Sequence, residues 1–133
     1  MAKGTFYVHF DDRAAFVDAL RAEFGEHVQA AIESAVTGLE PGARRLNAGL
    51  VAYLDASLAD RTVKALIPEA RNGVVAALVE RNLKEMGWRE SRVAARLVVA
   101  MAAEVALLER GSGRKDARAR RALRRFIDRA DVA

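Results

Sequence analysis

Apolar residues recur along this chain every three or four positions, and almost nothing interrupts them. Phe16, Leu20, Phe24, Val28, Ile32 and Val36 step along one line. Leu46, Leu50, Tyr53, Leu54 and Leu58 form a second stripe, and Val74, Val75, Leu78, Val79 and Leu83 a third. That spacing places each set on one face of an α-helix, whereas a half-buried strand would alternate with a period of two. Only two prolines occur in 133 residues, so the pattern runs through a chain with few obligatory breaks. The predicted fold class is all-α.

Punctuation divides the chain into helices of ordinary length. Thr5 to Phe10 reads as a short helical piece, and Asp11 or Asp12 as the cap of the next helix. Gly38 to Gly42 is a break, after which Pro41 is placed to open a helix, where its missing N–H is not needed. Asp60 or Thr62 restarts the chain, and Asn72-Gly73 is a stop signal, because both residues tolerate left-handed backbone. A further helix ends near Met86-Gly87. Ser91 is the predicted cap of a long helix from Arg92 to about Glu109; Gly111-Ser112-Gly113 turns the chain, and a last helix runs from about Lys115 to Arg129.

The final two helices differ in character. The first is apolar over most of its circumference, through Val93, Ala94, Leu97, Val98, Ala100, Met101, Val105 and Leu108. A helix of that kind has to be covered on more than one side. Either it is the central core helix of one chain, or a second copy covers it in a homodimer. The last helix offers a narrower stripe of Leu123, Phe126 and Ile127 between arginines. The expected dimer seam is therefore Leu97, Met101, Val105, Leu108, Leu123, Phe126 and Ile127.

Charge is concentrated rather than spread. From Gly111 onward eight basic residues face three acidic ones, a net of +5, while the preceding body has fourteen against fifteen, a net of −1. The basic character thus belongs to the last helix, with Arg118, Arg120, Arg121, Arg124, Arg125 and Arg129. Such a helix reads as a solvated face beside a dimer seam; the rival reading is an anion-binding surface. Absence of cysteine excludes disulfides, thiolate metal sites and cysteine nucleophiles. No signal-peptide pattern and no segment long enough to span a bilayer is visible, so the expected location is cytoplasmic, without a membrane partner.

One run of residues is specific. Lys3-Gly4-Thr5-Phe6-Tyr7-Val8-His9-Phe10, followed by Asp11-Asp12-Arg13-Ala14-Ala15-Phe16, resembles the second half of the TetR-family helix-turn-helix. There a basic residue and glycine open a short recognition helix with a Thr/Asn-Leu-Tyr-x-His/Tyr-Phe core, and a Lys-x-x-Leu helix start follows. Phe6 stands for the leucine, Arg13 for the lysine and Phe16 for the closing leucine. Phe6 and Phe10, four apart, would anchor the helix, leaving Lys3, Gly4, Thr5, Tyr7, Val8 and His9 for the DNA. Lys3, Thr5 and Val8 would approach base edges, while Tyr7, His9, Arg13 and the N–H groups near Gly4 would meet phosphates.

The resemblance implies a TetR-like ligand-binding and dimerisation bundle preceded by a partial helix-turn-helix. Residues 1–24 would hold the remnant of the DNA-binding domain and the start of the connecting helix, and residues 25–133 the C-terminal domain. It further implies a homodimeric one-component regulator, a repressor released from operator DNA by a small apolar effector. Family members carry two helices ahead of the motif, and the chain starts inside the turn, so the expectation is impaired operator binding. An effector pocket would lie among the middle helices, with Tyr53, Leu54, Leu58, Ile67, Met86, Trp88 and Met101 as lining candidates. Arg71 or Asn72 would supply an orienting hydrogen bond.

Other chemistry is not supported by the pattern. Glu23 and His27 share a helix face, but the chain has one other histidine and no cysteine, so a solvated face is the better reading than a metal site. Ser34, Ser57, Ser91 and Ser112 lack a triad pattern, and no phosphate-binding glycine loop or cofactor motif occurs, so no enzyme and no cofactor is expected. The alternative function is a ligand-binding or dimerisation module with no role on DNA.

Overall fold

A computed structural model describes residues 13–59 and 73–130, and every element among them is an α-helix. In chain order they are α1 (Arg13–Val36), α2 (Ala43–Ala59), α3 (Val74–Glu85), α4 (Ser91–Ser112) and α5 (Ala117–Ala130). The short helix predicted over residues 5–10 and the capping role of Asp11 or Asp12 lie outside the described residues.

Most of the described side chains in each predicted stripe face the common core; Phe16 and Leu58 are half-buried outside it. Phe24, Val28 and Ile32 of α1 are buried, with Leu20 and Val36 packed against them. In α2, Leu46, Leu50, Tyr53 and Leu54 are buried together with Ala43, Gly49, Ala56 and Ser57. Val75, Val79 and Leu83 carry α3 into the same cluster. α1 packs chiefly on α2, and α3 on α4, while α2 touches all four other helices. The central helix of the bundle is therefore α2.

α4 packs on α2, α3 and α5. Its inward face is built from small residues, Ala95, Val98, Val99, Ala102, Ala103 and Ala106, which let neighbouring backbones approach closely. Val93, Leu97, Leu107 and Leu108 point away from this core, and Leu97 is 63% exposed. Among the described residues nothing covers this second apolar face of α4.

Helix ends depart from the sequence reading at three places. Pro41 precedes Gly42, whose carbonyl accepts from Leu46 N–H, so Pro41 stands outside the first turn of α2. Ser91 is the first residue of α4 rather than its cap; Glu90 holds the cap position and Ser91 is buried. At its far end α4 continues past Glu109 to Ser112, because one glycine inside a helix costs only about 1 kcal/mol. Gly113 then adopts left-handed backbone (φ 75°), and its N–H closes on Glu109 O at 2.7 Å.

A buried ionic staple fixes the turn into α5. Glu109 is 1% exposed, and its carboxylate accepts from Arg120 Nε at 2.6 Å, Arg120 Nη2 at 2.8 Å and the Asp116 N–H at 2.9 Å. Arg120 Nη1 donates to Asp55 Oδ1 of α2 at 2.8 Å, and Lys115 lies 3.6 Å from the same oxygen. Asp116 in turn accepts from Ala119 N–H at 3.0 Å, capping α5. The hydrogen bonds to Glu109 hold the Arg120 guanidinium protonated even more firmly than usual, against the opposing effect of burial.

Candidate functional site

α1, α2 and α3 do not close completely on one another. Between them lies a cavity of about 310 Å³, within the range of small-molecule sites. From α1 it takes Ile32, Glu33 and Val36, at the C-terminal end of that helix. From α2 it takes Leu46, Leu50 and Gly49. A Cβ added at Gly49 would sit 3.4 Å from Ile32 Cγ2 and 3.5 Å from Val36 Cγ1, so the glycine leaves the seam between α1 and α2 one side chain short. α3 contributes Val75, Leu78 and Val79, spaced as one helical stripe.

Polar groups are few and sorted by depth. At the rim stand Glu33, Arg81 and the ion pair of Arg45 with Glu85, which links α2 to α3. Two acids and two bases leave this rim without net charge. Asn82 continues the Val75–Val79 stripe inward and is only 5% exposed. Its Nδ2 lies 3.7 Å from Met86 Sδ, a weak acceptor, and its Oδ1 is buried with no hydrogen-bond partner. A buried carbonyl left unsatisfied costs about 1–3 kcal/mol, which makes Asn82 the group in this wall that demands explanation.

The predicted pocket residues fall elsewhere. Tyr53 and Leu54 are fully buried in the core; Leu58 is half-buried; Met86, Trp88 and Met101 are half-buried, the three packed against the core. None of these six lines the cavity, and Ile67, Arg71 and Asn72 lie outside the described residues. The reason is geometric: large side chains fill the centre of the bundle, and space opens where Gly49 and short valines meet. Sequence reasoning missed Asn82. The available signal was an amide interrupting an apolar stripe at i+3 and i+7 from Val79 and Val75.

Of the residues expected at a dimer seam, Val105, Leu123 and Ile127 are buried within the protomer's own core. Leu97, Leu108 and Phe126 are exposed and Met101 is half-buried. At 100° per residue, Val93, Leu97, Leu107 and Leu108 share one side of α4, with Glu104 among them. Of the expected seam, Leu97, Leu108 and Phe126 are thus the residues open at the surface.

Among the DNA-contact candidates, Lys3, Gly4, Thr5, Tyr7, Val8 and His9 lie outside the described residues, and Arg13 is the exposed first residue of α1. Glu23 and His27 are both exposed, and among the described residues no cluster of three or more His, Cys, Asp or Glu could hold a metal ion. No described helix is long and apolar enough to cross a membrane. On α5, Arg118, Arg121, Arg124, Arg125 and Arg129 are exposed, whereas Arg120 turns inward to the staple. Compared with known protein families and with curated proteins, the chain finds no match.

Proposed function

We propose that this chain is the sensing and dimerisation part of a TetR-like transcriptional regulator, a repressor that a small effector releases from operator DNA. The observation that carries the reading is the span of α1. Its 24 residues rise about 36 Å as one helix. At one end Arg13 directly continues the run from Lys3 to Asp12 that resembles a recognition helix and its linker. At the other end Ile32, Glu33 and Val36 form a wall of the cavity. A molecule seated there touches the same rigid element that would carry the DNA reader. It shifts the reader only by binding one arrangement of α1 more tightly than the other.

Two readers spaced for successive major grooves require two copies. The exposed side of α4, with Phe126 of α5, is the surface proposed for that pairing, since the described residues of one chain leave it uncovered. No catalysis is assigned: the polar residues in the cavity wall are Glu33, Arg45, Arg81, Asn82 and Glu85, without a serine or histidine to act as nucleophile or base.

The test is capture in the native cell. A tag fused to the protein at its chromosomal locus allows crosslinked DNA to be recovered and sequenced. Enrichment of a few short sites with two-fold symmetry is expected. Uniform coverage of the genome, with the protein recovered as a dimer, would overturn the DNA role and leave a ligand-binding module.

A further inference from the structure

α5 carries a ridge of charge that neither the core nor the proposed seam uses. We propose that this ridge, formed by Arg118, Arg121, Arg125 and Arg129, grips the phosphate backbone of double-stranded DNA without regard to sequence. The proposal does not rest on the regulator reading, since it needs no recognition helix, no effector and no operator.

Helical spacing gathers the four side chains. At 100° per residue they fall within an arc of about 80°, and no other residue of α5 enters it. The ridge runs about 16 Å along the helix, with a guanidinium every three or four residues. All four are exposed, and among the described residues none of them meets a carboxylate. The neighbouring acids are engaged elsewhere. Asp116 caps α5, Asp55 is shared by Arg120 and Lys115, and Asp128 accepts from Asn47 at 2.8 Å. Charge is also local to this segment, +5 from Gly111 onward against −1 in the preceding body, so its field draws a polyanion to this face.

Three kinds of partner carry dense negative charge, and the make-up of the ridge separates them. An anionic bilayer is held by helices that also insert an apolar face. The apolar face of α5 is not free to insert, because Leu123 and Ile127 are buried in the core. An acidic protein interface needs a desolvated apolar centre, and the arc holds no apolar residue; exposed Phe126 lies about 100° round the helix. A phosphate backbone asks for neither. Surfaces that bind DNA are polar and strongly positive, and exposed cations suffice to displace its condensed counterions. Arginine suits the task, because its planar fork donates two parallel hydrogen bonds to phosphate oxygens. A row of identical side chains matches the repeating groups of a backbone, so the hold follows charge rather than bases.

The experiment titrates the purified chain into a fluorescent duplex of arbitrary sequence, with anisotropy read at a series of salt concentrations. Four neutralised phosphates predict a slope of about −3 to −4 in log affinity against log salt, and a duplex of unrelated sequence should give the same line. Arg121→Gln with Arg125→Gln should flatten the slope by about two and weaken binding in low salt at least tenfold. Arg81→Gln with Arg89→Gln removes the same charge from exposed sites off α5, and should leave the line in place. Circular dichroism of both variants should match the unaltered chain, since only exposed side chains change. No binding in low salt would overturn the proposal. So would a slope indifferent to the α5 pair, which places the contact elsewhere, or an equal loss in the control pair, which makes it bulk charge. Polyglutamate or phosphatidylglycerol vesicles bound as tightly as the duplex would also overturn it. Genome capture asks for site preference and this titration for charge alone, so even coverage there and a flat salt line here are separate failures.

Discussion

Two buried polar groups of this bundle, Glu109 and Asn82, are treated in opposite ways. Where α2, α4 and α5 meet, Glu109 is almost fully enclosed and its carboxylate accepts three hydrogen bonds, with Arg120 passing the charge on to Asp55. Where α1, α2 and α3 meet, Asn82 is nearly as enclosed and its carbonyl accepts none. The first arrangement closes a turn and leaves nothing to be added. The second leaves a carbonyl oxygen enclosed and unpaired in a residue that lines the cavity. The contrast is between these two groups alone: Ser57 Oγ of α2, whose residue meets Arg110 of α4, is also buried without a hydrogen-bond partner among the described residues, so an unsatisfied atom does not by itself mark a ligand site.

The largest effect expected is at the staple. Glu109→Leu strands the Arg120 guanidinium and the Asp116 N–H in a buried turn, and loss of one partner of such a pair costs about 3–5 kcal/mol. Urea denaturation measures it. Replacing both partners, Glu109→Leu with Arg120→Met, recovers much of that loss, because no buried charge is left unpaired: Asp55, half-exposed, keeps Lys115 and solvent; a double variant as unstable as the single one would break the comparison on this side. Next in size is the outer face of α4. Leu97→Glu together with Leu108→Glu sets like charges into the proposed seam, and sedimentation velocity should record a monomer where a dimer is expected of the unaltered chain. A monomer before mutation would remove the pairing surface from the account.

Smaller effects sharpen the other end. Asn82→Leu replaces an unsatisfied amide by an apolar group with the same number of side-chain heavy atoms, beside a cavity with room for it. Stability should rise by about 1 kcal/mol. Arg45→Gln breaks the ion pair with Glu85 at the rim. Because the Glu85 side chain is 45% exposed, the loss should stay below about 1 kcal/mol in thermal melts. A loss as large as that at Glu109 would mean that the rim, too, is structural.

Much of this architecture is readable in the chain itself. The stripes from Phe16 to Val36 and from Leu46 to Leu54 lie on helices α1 and α2 because spacing decides which residues share a face, and spacing is explicit in a sequence. Which side of an evenly apolar helix turns inward is not explicit. On α4 the bulkier Leu97 and Leu108 stay outside and the alanines go in, since close approach to its neighbours favours small residues over greasy ones. The cavity was equally hidden. It arises from what Gly49 lacks and from three helices meeting imperfectly, whereas residue type alone directs attention to large side chains such as Tyr53, which fill the core. Glu109 looked like the polar end of a helix; only the fold brings Arg120, eleven residues on, back to it.

A side-by-side melt of Asn82→Leu and Glu109→Leu puts the contrast to its most direct trial. Both changes exchange a buried polar side chain for leucine, so hydrophobicity alone would move the two midpoints the same way. The account predicts opposite signs, with the first variant melting above the unaltered chain and the second well below it. Two shifts in one direction would contradict it.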